Sequence, residues 1–255
     1  MTKFKKVAIV ICASVLSVCT IGNVCFAEQT SDKFTYTVDS KFNDVKTSDW
    51  FYEAVSKCED LGIVGGYGDG NFGPNDPVTM EQVCLMSLRC LVAWYPADNR
   101  GIVIYHGMGD DTELNLFNAV LTAQFQDIVP LSTRAEGLRI KEGKDYKQNA
   151  YREEALSCLY KTYQKGNYEQ WIDKMNNVRG IKKEIIENPN IPDENDITDF
   201  YKNDIIEAYK IGLAQGYDET GAFKPKNEIT RAEFCQMLFN SGIIEAIRGH
   251  KNGLL

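Results

Sequence analysis

The feature that most limits what this chain can fold into is that it repeats itself. Residues 42–90 begin FNDVKTSDWFYEAV, residues 191–240 begin IPDENDITDFYKND, and the two stretches align with one inserted residue. Trp50 then meets Phe200, Gly62 meets Gly212, Gly66-Tyr67 meets Gly216-Tyr217, Phe72 meets Phe223, Pro74 meets Pro225, Thr79 meets Thr230 and Cys84 meets Cys235. Self-similarity over such a length marks a small unit that cannot bury its own apolar face and must stack on its neighbours.

Each unit reads as helix, glycine-rich loop, helix. Phe51, Ala54, Val55, Cys58 and Leu61 recur at three- and four-residue intervals, and Gly62 with Ile63 behind it has the form of a glycine C-cap and its hydrophobic contact. The loop Gly65-Gly66-Tyr67-Gly68-Asp69-Gly70 tolerates positive φ and must turn tightly. Thr79 with Gln82 and Thr230 with Glu233 predict capping boxes, stapled by Val78 with Val83 and by Ile229 with Phe234. Arg231 falls on the first helical position, where a cation costs about 0.3–1 kcal/mol against the helix dipole. Either its aliphatic stem covers apolar surface, or the guanidinium and the free helix-start N–H groups converge on a carboxylate or phosphate.

A degenerate middle copy is expected between the two. Leu116, Ala119, Val120, Ala123 and Ile128-Val129 match the first helix, and Tyr151-Arg152-Glu153-Glu154 stands where Thr230-Arg231-Ala232-Glu233 does. Its loop, residues 130–150, lacks the Gly-Tyr-Asp-Gly pattern, and tyrosine cannot cap as threonine does. Trp171, Ile172, Met175, Val178, Ile181 and Ile185 have helical spacing, so residues 168–187 are read as a connecting helix.

The segments FNDV, DWFYEAV, GIVGGYGDGNFGP and EITRAEF resemble the repeats of the S-layer homology domain, a module that attaches exported proteins to Gram-positive-type cell walls. Copies one and three match along nearly their full length, and the three copies together cover most of residues 40–245. The resemblance implies an all-α fold of three helix-loop-helix repeats in a pseudo-threefold spindle, plus the connecting helix. Its boundaries are a first repeat at 41–96, a degenerate second at 97–166, the connecting helix within 167–190, a third repeat at 191–245 and a tail at 246–255. It also implies grooves between repeats that bind a secondary cell-wall polysaccharide, often ending in pyruvylated N-acetylmannosamine, without a cofactor. Arg231 matches the family's motif arginine, Arg152 matches it in a poorer context, and the first copy has Met80 there. Asp44 and Asp193 fit the early aspartate, Trp50 and Phe200 the aromatic after it, and Gly66 and Gly216 the loop glycine; Asn115 in the middle copy breaks the aromatic. One or two working grooves are expected rather than three equal ones.

Residues 1–27 read as a secretory signal, with Lys3, Lys5 and Lys6 before an apolar run from Val7 to about Val18 and cleavage after Ala27. A lipid anchor on Cys19 fits less well, because Val18 stands where a small residue belongs. Residues 28–40 form a short extension, and the mature chain is expected at the cell surface or wall. Loss of the signal takes three lysines and no acid, moving the formal charge from −8 to −11. So acidic a body excludes general nucleic-acid binding, which rests on lysine and arginine neutralising phosphates. A polyanion must be met by local arginines.

Catalysis is not expected, since the chain has only His106 and His250 and lacks the G-x-S-x-G, H-E-x-x-H and phosphate-loop patterns. Pairs such as Asp110-Asp111 and Glu153-Glu154 sit where acids serve a helix dipole, which leaves a glycan-cleaving site a remote alternative. Asp69, Asn71, Asn75 and Asp76 cluster without calcium-loop spacing. A scaffold that contacts another surface protein and no longer binds sugar stays open. Cys58, Cys84, Cys90, Cys158 and Cys235 remain after signal removal, an odd set without C-x-x-C spacing; buried free thiols are expected, with a Cys58–Cys84 bridge as the other possibility.

Overall fold

In a computed structural model of the chain, the described residues are 36–94, 128, 147–180, 185–216 and 220–254. The expected signal, most of the first helix and loop expected for a middle copy, and Tyr217 lie outside them. Seven α-helices and one 3-10 turn make up the regular structure there, with no strand, so the all-α class holds among the described residues. The helices are α1 (Tyr52–Asp60), α2 (Met80–Trp94), α3 (Arg152–Gly166), α4 (Tyr168–Arg179), α5 (Asp199–Lys210), α6 (Arg231–Asn240) and α7 (Ile243–Lys251).

Both predicted capping boxes form. Thr79 Oγ1 accepts from the Gln82 amide (3.3 Å) while Gln82 takes the Thr79 amide (3.2 Å). Thr230 and Glu233 exchange the same pair at 3.2 and 2.8 Å. At the start of α3 Glu154 takes the Tyr151 amide (2.9 Å), the half of the box that needs no threonine. Gly62 (φ +71°) and Gly212 (φ +74°) end α1 and α5, and the amides of Ile63 and Leu213 reach back to Cys58 and Ala208, both at 2.9 Å. Helix α4 stops at Gly180 (φ +69°), short of the expected 187, and α7 runs through the boundary expected at 245. Gly249 lets α7 lie on α4, since a Cβ there would meet the Trp171 ring at 2.0 Å.

The helix starts are joined by backbone. Val78 N–H donates to Ile229 O (2.9 Å), Ile229 N–H to Ala150 O (3.1 Å) and Ala150 N–H to Val78 O (2.8 Å), a closed ring of three. Two residues on, Met80 N–H donates to Gln148 O (3.1 Å), Arg152 N–H to Asn227 O (2.9 Å) and Arg231 N–H to Asp76 O (2.9 Å), a second set of three bonds between the same segments. Each set joins three helix starts, those of α2, α3 and α6, and Val78, Ala150 and Ile229 are wholly buried. Amides that a helix start would otherwise leave orphaned are thereby satisfied without water. Below the ring, α2 packs on α3, α3 on α5, and α1 on α6, around one continuous apolar core.

All five cysteines of the described residues are free thiols and buried, and no Cys58–Cys84 bridge forms. Burial pushes the Cys158 thiol up to about 12 and raises Cys84 and Cys90 as well. An unfolded thiol ionises near about 8.5, whereas the folded one stays neutral to higher pH. The stabilisation is therefore complete below about pH 8.5 and lost as pH rises toward the folded values. The urea midpoint should fall as pH is raised above about 8.5, and a thiol reagent at about pH 8 should label these cysteines only after unfolding. Rapid labelling of the native protein would contradict the packing.

The ring makes a second prediction. Ala150→Pro removes one ring donor and strands the Val78 carbonyl, which should cost about 1–3 kcal/mol in urea unfolding. A cost near zero would mean that the ring does not hold the copies together.

Candidate functional site

Arg231 stands where α6 meets the loop of the first copy. Its Nε donates to Phe72 O (2.9 Å) and its Nη2 to Gly65 O (2.7 Å). The guanidinium lies 4.6 Å from the Phe72 ring centroid and 4.9 Å from that of Tyr67, and only 3% of the residue is exposed. Planar stacking and a fork of donors are what arginine supplies and lysine does not. The helix-start amides that were to share an anion are already taken, Arg231 N–H by Asp76 O and Ala232 N–H by Pro74 O (3.1 Å). The cation is thus tolerated because the positive helix end is matched by carbonyls of the neighbouring copy. Nη1 makes no hydrogen bond with the described residues.

Arg152, at the start of α3, repeats the arrangement against the loop of residues 213–227. Its Nε donates to Phe223 O (2.9 Å), its guanidinium lies 5.4 Å from the Phe223 ring, and its Nη1 is 4.0 Å from Glu233. Glu153 N–H donates to Pro225 O (3.2 Å), as Ala232 does to Pro74. Sequence position alone gave no sign that each arginine serves the loop of a different copy.

The two aspartates are loop ties. Asp44 accepts the amides of Phe72 (2.7 Å) and Gly73 (2.8 Å), and Asp193 those of Phe223 and Lys224, both at 2.7 Å. Both oxygens of each carboxylate are thereby engaged. Gly66 and Gly216 are required by close backbone approach: a Cβ would stand 2.5 Å from Asn71 O in the first loop and 1.9 Å from Gly221 O in the other. Trp50 (64% exposed) and Phe200 (44%) are presented outward before α1 and inside the start of α5, each edge-on to the buried aromatic that follows it, Phe51 or Tyr201. Tyr67, 52% exposed and over Arg231, was missed as a site residue although the alignment contains it.

In the loop itself, Asp69 accepts the Asn71 amide (2.9 Å) and side chain (3.0 Å), bonds that lower its carboxyl. That is a turn device. Among the described residues no group of three or more metal-ligating side chains converges, and no helix is long and apolar enough to cross a membrane.

Among the described residues, helix-loop-helix copies tied at their helix starts and showing aromatic rings outward make up a repeat module. The S-layer homology domain model matches residues 41–84 and 190–235, so the chain carries S-layer homology repeats in those two regions. S-layer homology domains are non-catalytic anchoring modules of the cell wall that bind its polymers. The chain is similar to an amylopullulanase of Thermoanaerobacterium thermosulfurigenes, 24% identical over 227 residues. It is also similar to the exoglucanase XynX of Acetivibrio thermocellus, 26% identical over 208 residues. The matches cover 88% and 80% of this chain but 10% and 16% of those enzymes. The chain therefore spans a small part of the curated relatives it matches.

Replacing Arg231 by methionine, the residue the first copy has at this position, would leave two loop carbonyls without their charged donor. It should lower stability by at least about 2 kcal/mol in urea unfolding. An unchanged midpoint would show that the arginine does not fasten the loop.

Proposed function

We propose that this chain is a surface-attachment module that binds an anionic, pyruvylated secondary cell-wall polysaccharide beside Arg231, and that it does so on a Gram-positive-type wall after export. The observation that carries this reading is the junction of α6 with the first loop. There the arginine is clamped by Phe72 and Gly65 carbonyls, keeps Nη1 as a donor, and lies beneath the half-exposed ring of Tyr67. A carboxylate on a sugar matches that pairing, the charge meeting the guanidinium and the sugar face meeting an aromatic ring. Trp50 extends the aromatic surface of the same copy, while Asp44 and Gly66 set the loop's shape. The hydrogen-bond ring and the second set of three bonds support three related units with a degenerate middle one. Arg152, Asp193, Phe200 and Gly216 build the related junction of the third copy's loop, which we read as the weaker groove.

A second reading has its own observation: both arginines spend donors on backbone carbonyls, as fasteners of a scaffold would. Co-sedimentation with purified sacculi, before and after the secondary polymer is stripped, separates the two. Wild type should pellet only with unstripped walls. Trp50→Ala, at an exposed position that leaves the core intact, should reduce pelleting about tenfold without lowering the melting temperature. Arg231→Ala should weaken pelleting more than Arg152→Ala. Pelleting that survives stripping, or a loss confined to Arg152→Ala, would overturn the assignment.

A further inference from the structure

The two junctions are built alike, with one substitution of consequence. In both, the motif arginine donates Nε to the loop phenylalanine carbonyl, the next residue donates its amide to the loop proline carbonyl, and an aspartate ties two loop amides. The next residue is Ala232 beside the first loop and Glu153 beside the third copy's loop. Glu153 is buried, and its carboxylate is fully engaged: Oε2 takes the Thr198 amide (3.0 Å), Oε1 takes the Thr198 hydroxyl (2.9 Å), and Lys226 Nζ donates to Oε1 as well as to Thr198 Oγ1. An amide, a hydroxyl and an ammonium converging on one carboxylate are the donors with which a protein recognises a carboxylate from outside. At the matching positions of the first copy stand Ser48 and Asn75, and Ala232 brings no acid.

We propose that Thr198 and Lys226 form a carboxylate-binding site that the chain fills with its own Glu153. The groove beside Arg152 is thereby closed to anionic saccharide, and attachment falls to the groove beside Arg231. This rests on the anchoring function proposed above only for the saccharide; the self-filled site stands on the geometry. The internal acid has the advantage over a free ligand of effective concentration, since it is held in place by α3. A burying environment with no net charge gained also makes the pair sensitive to loss of either partner.

The test is chemical rescue of the full mature chain. Glu153→Ala should melt at a lower temperature than wild type, and on the order of 100 mM sodium acetate should restore about half of that loss, relative to sodium chloride of equal ionic strength. Wild type should not respond to acetate beyond chloride. If the variant does not fold in chloride, folding in acetate is the same positive result. Failure of acetate to do more than chloride, in either case, overturns the proposal and leaves Glu153 an ordinary structural ion pair. Acetate reads no glycan, so this arm decides even if wild type fails to bind walls. Where wild type does bind, adding Glu153→Ala to Arg231→Ala should recover wall pelleting lost in the single variant. No recovery there would overturn the claim that the acid closes the groove.

Discussion

Three buried residues, Val78, Ala150 and Ile229, hold one another's backbone in a ring, and the places of Arg152 and Arg231 follow from it. Each ring member directly precedes a helix cap, so the ring fixes where three helices begin and which loop each helix start faces. A second set of bonds, donated by Met80, Arg152 and Arg231, carries the constraint two residues further. An arginine at such a position is not free to choose its surroundings. Its backbone is already bonded to the neighbouring copy, so its side chain must run along that copy's loop. Its cost against the helix dipole is offset because carbonyls of another copy occupy the helix start.

The loops obey the same economy of contacts. Asp44 and Asp193 each gather two loop amides, and glycine is required at residues 66 and 216 where backbone approaches backbone. Those residues carry the family pattern for reasons of shape. The rings of Trp50, Tyr67 and Phe200 stay largely exposed, and the proposed recognition rests on the first copy's rings together with Nη1 of Arg231.

Much of this was legible in the sequence because it is local. Capping boxes, glycine C-caps and helical spacing depend on residues within one turn, and they stand at Thr79, Thr230, Gly62 and Gly212 as read. The cysteines are buried free thiols as expected. The partners of Arg231 did not, because Phe72 and Gly65 lie more than 150 residues away in the chain and only the ring brings them there. For the same reason the free helix-start amides expected beside Arg231 proved to be occupied. Glu153 was visible as a departure from Ala232, yet its spacing suited a helix dipole; its engagement by Thr198 and Lys226 is a tertiary fact. The end of α4 at Gly180 shows the opposite limit, an apolar period continuing in sequence past a residue that turned the chain.

The central claim is that a carboxylated saccharide is recognised where Arg231 meets the first loop. The most direct measurement is competition: the mature protein bound to unstripped sacculi, challenged with free pyruvylated N-acetylmannosamine or with the unmodified sugar. The account predicts release by the pyruvylated sugar and none by the unmodified one at the same concentration. Equal release by both, or by neither while the protein stays on the wall, would contradict it.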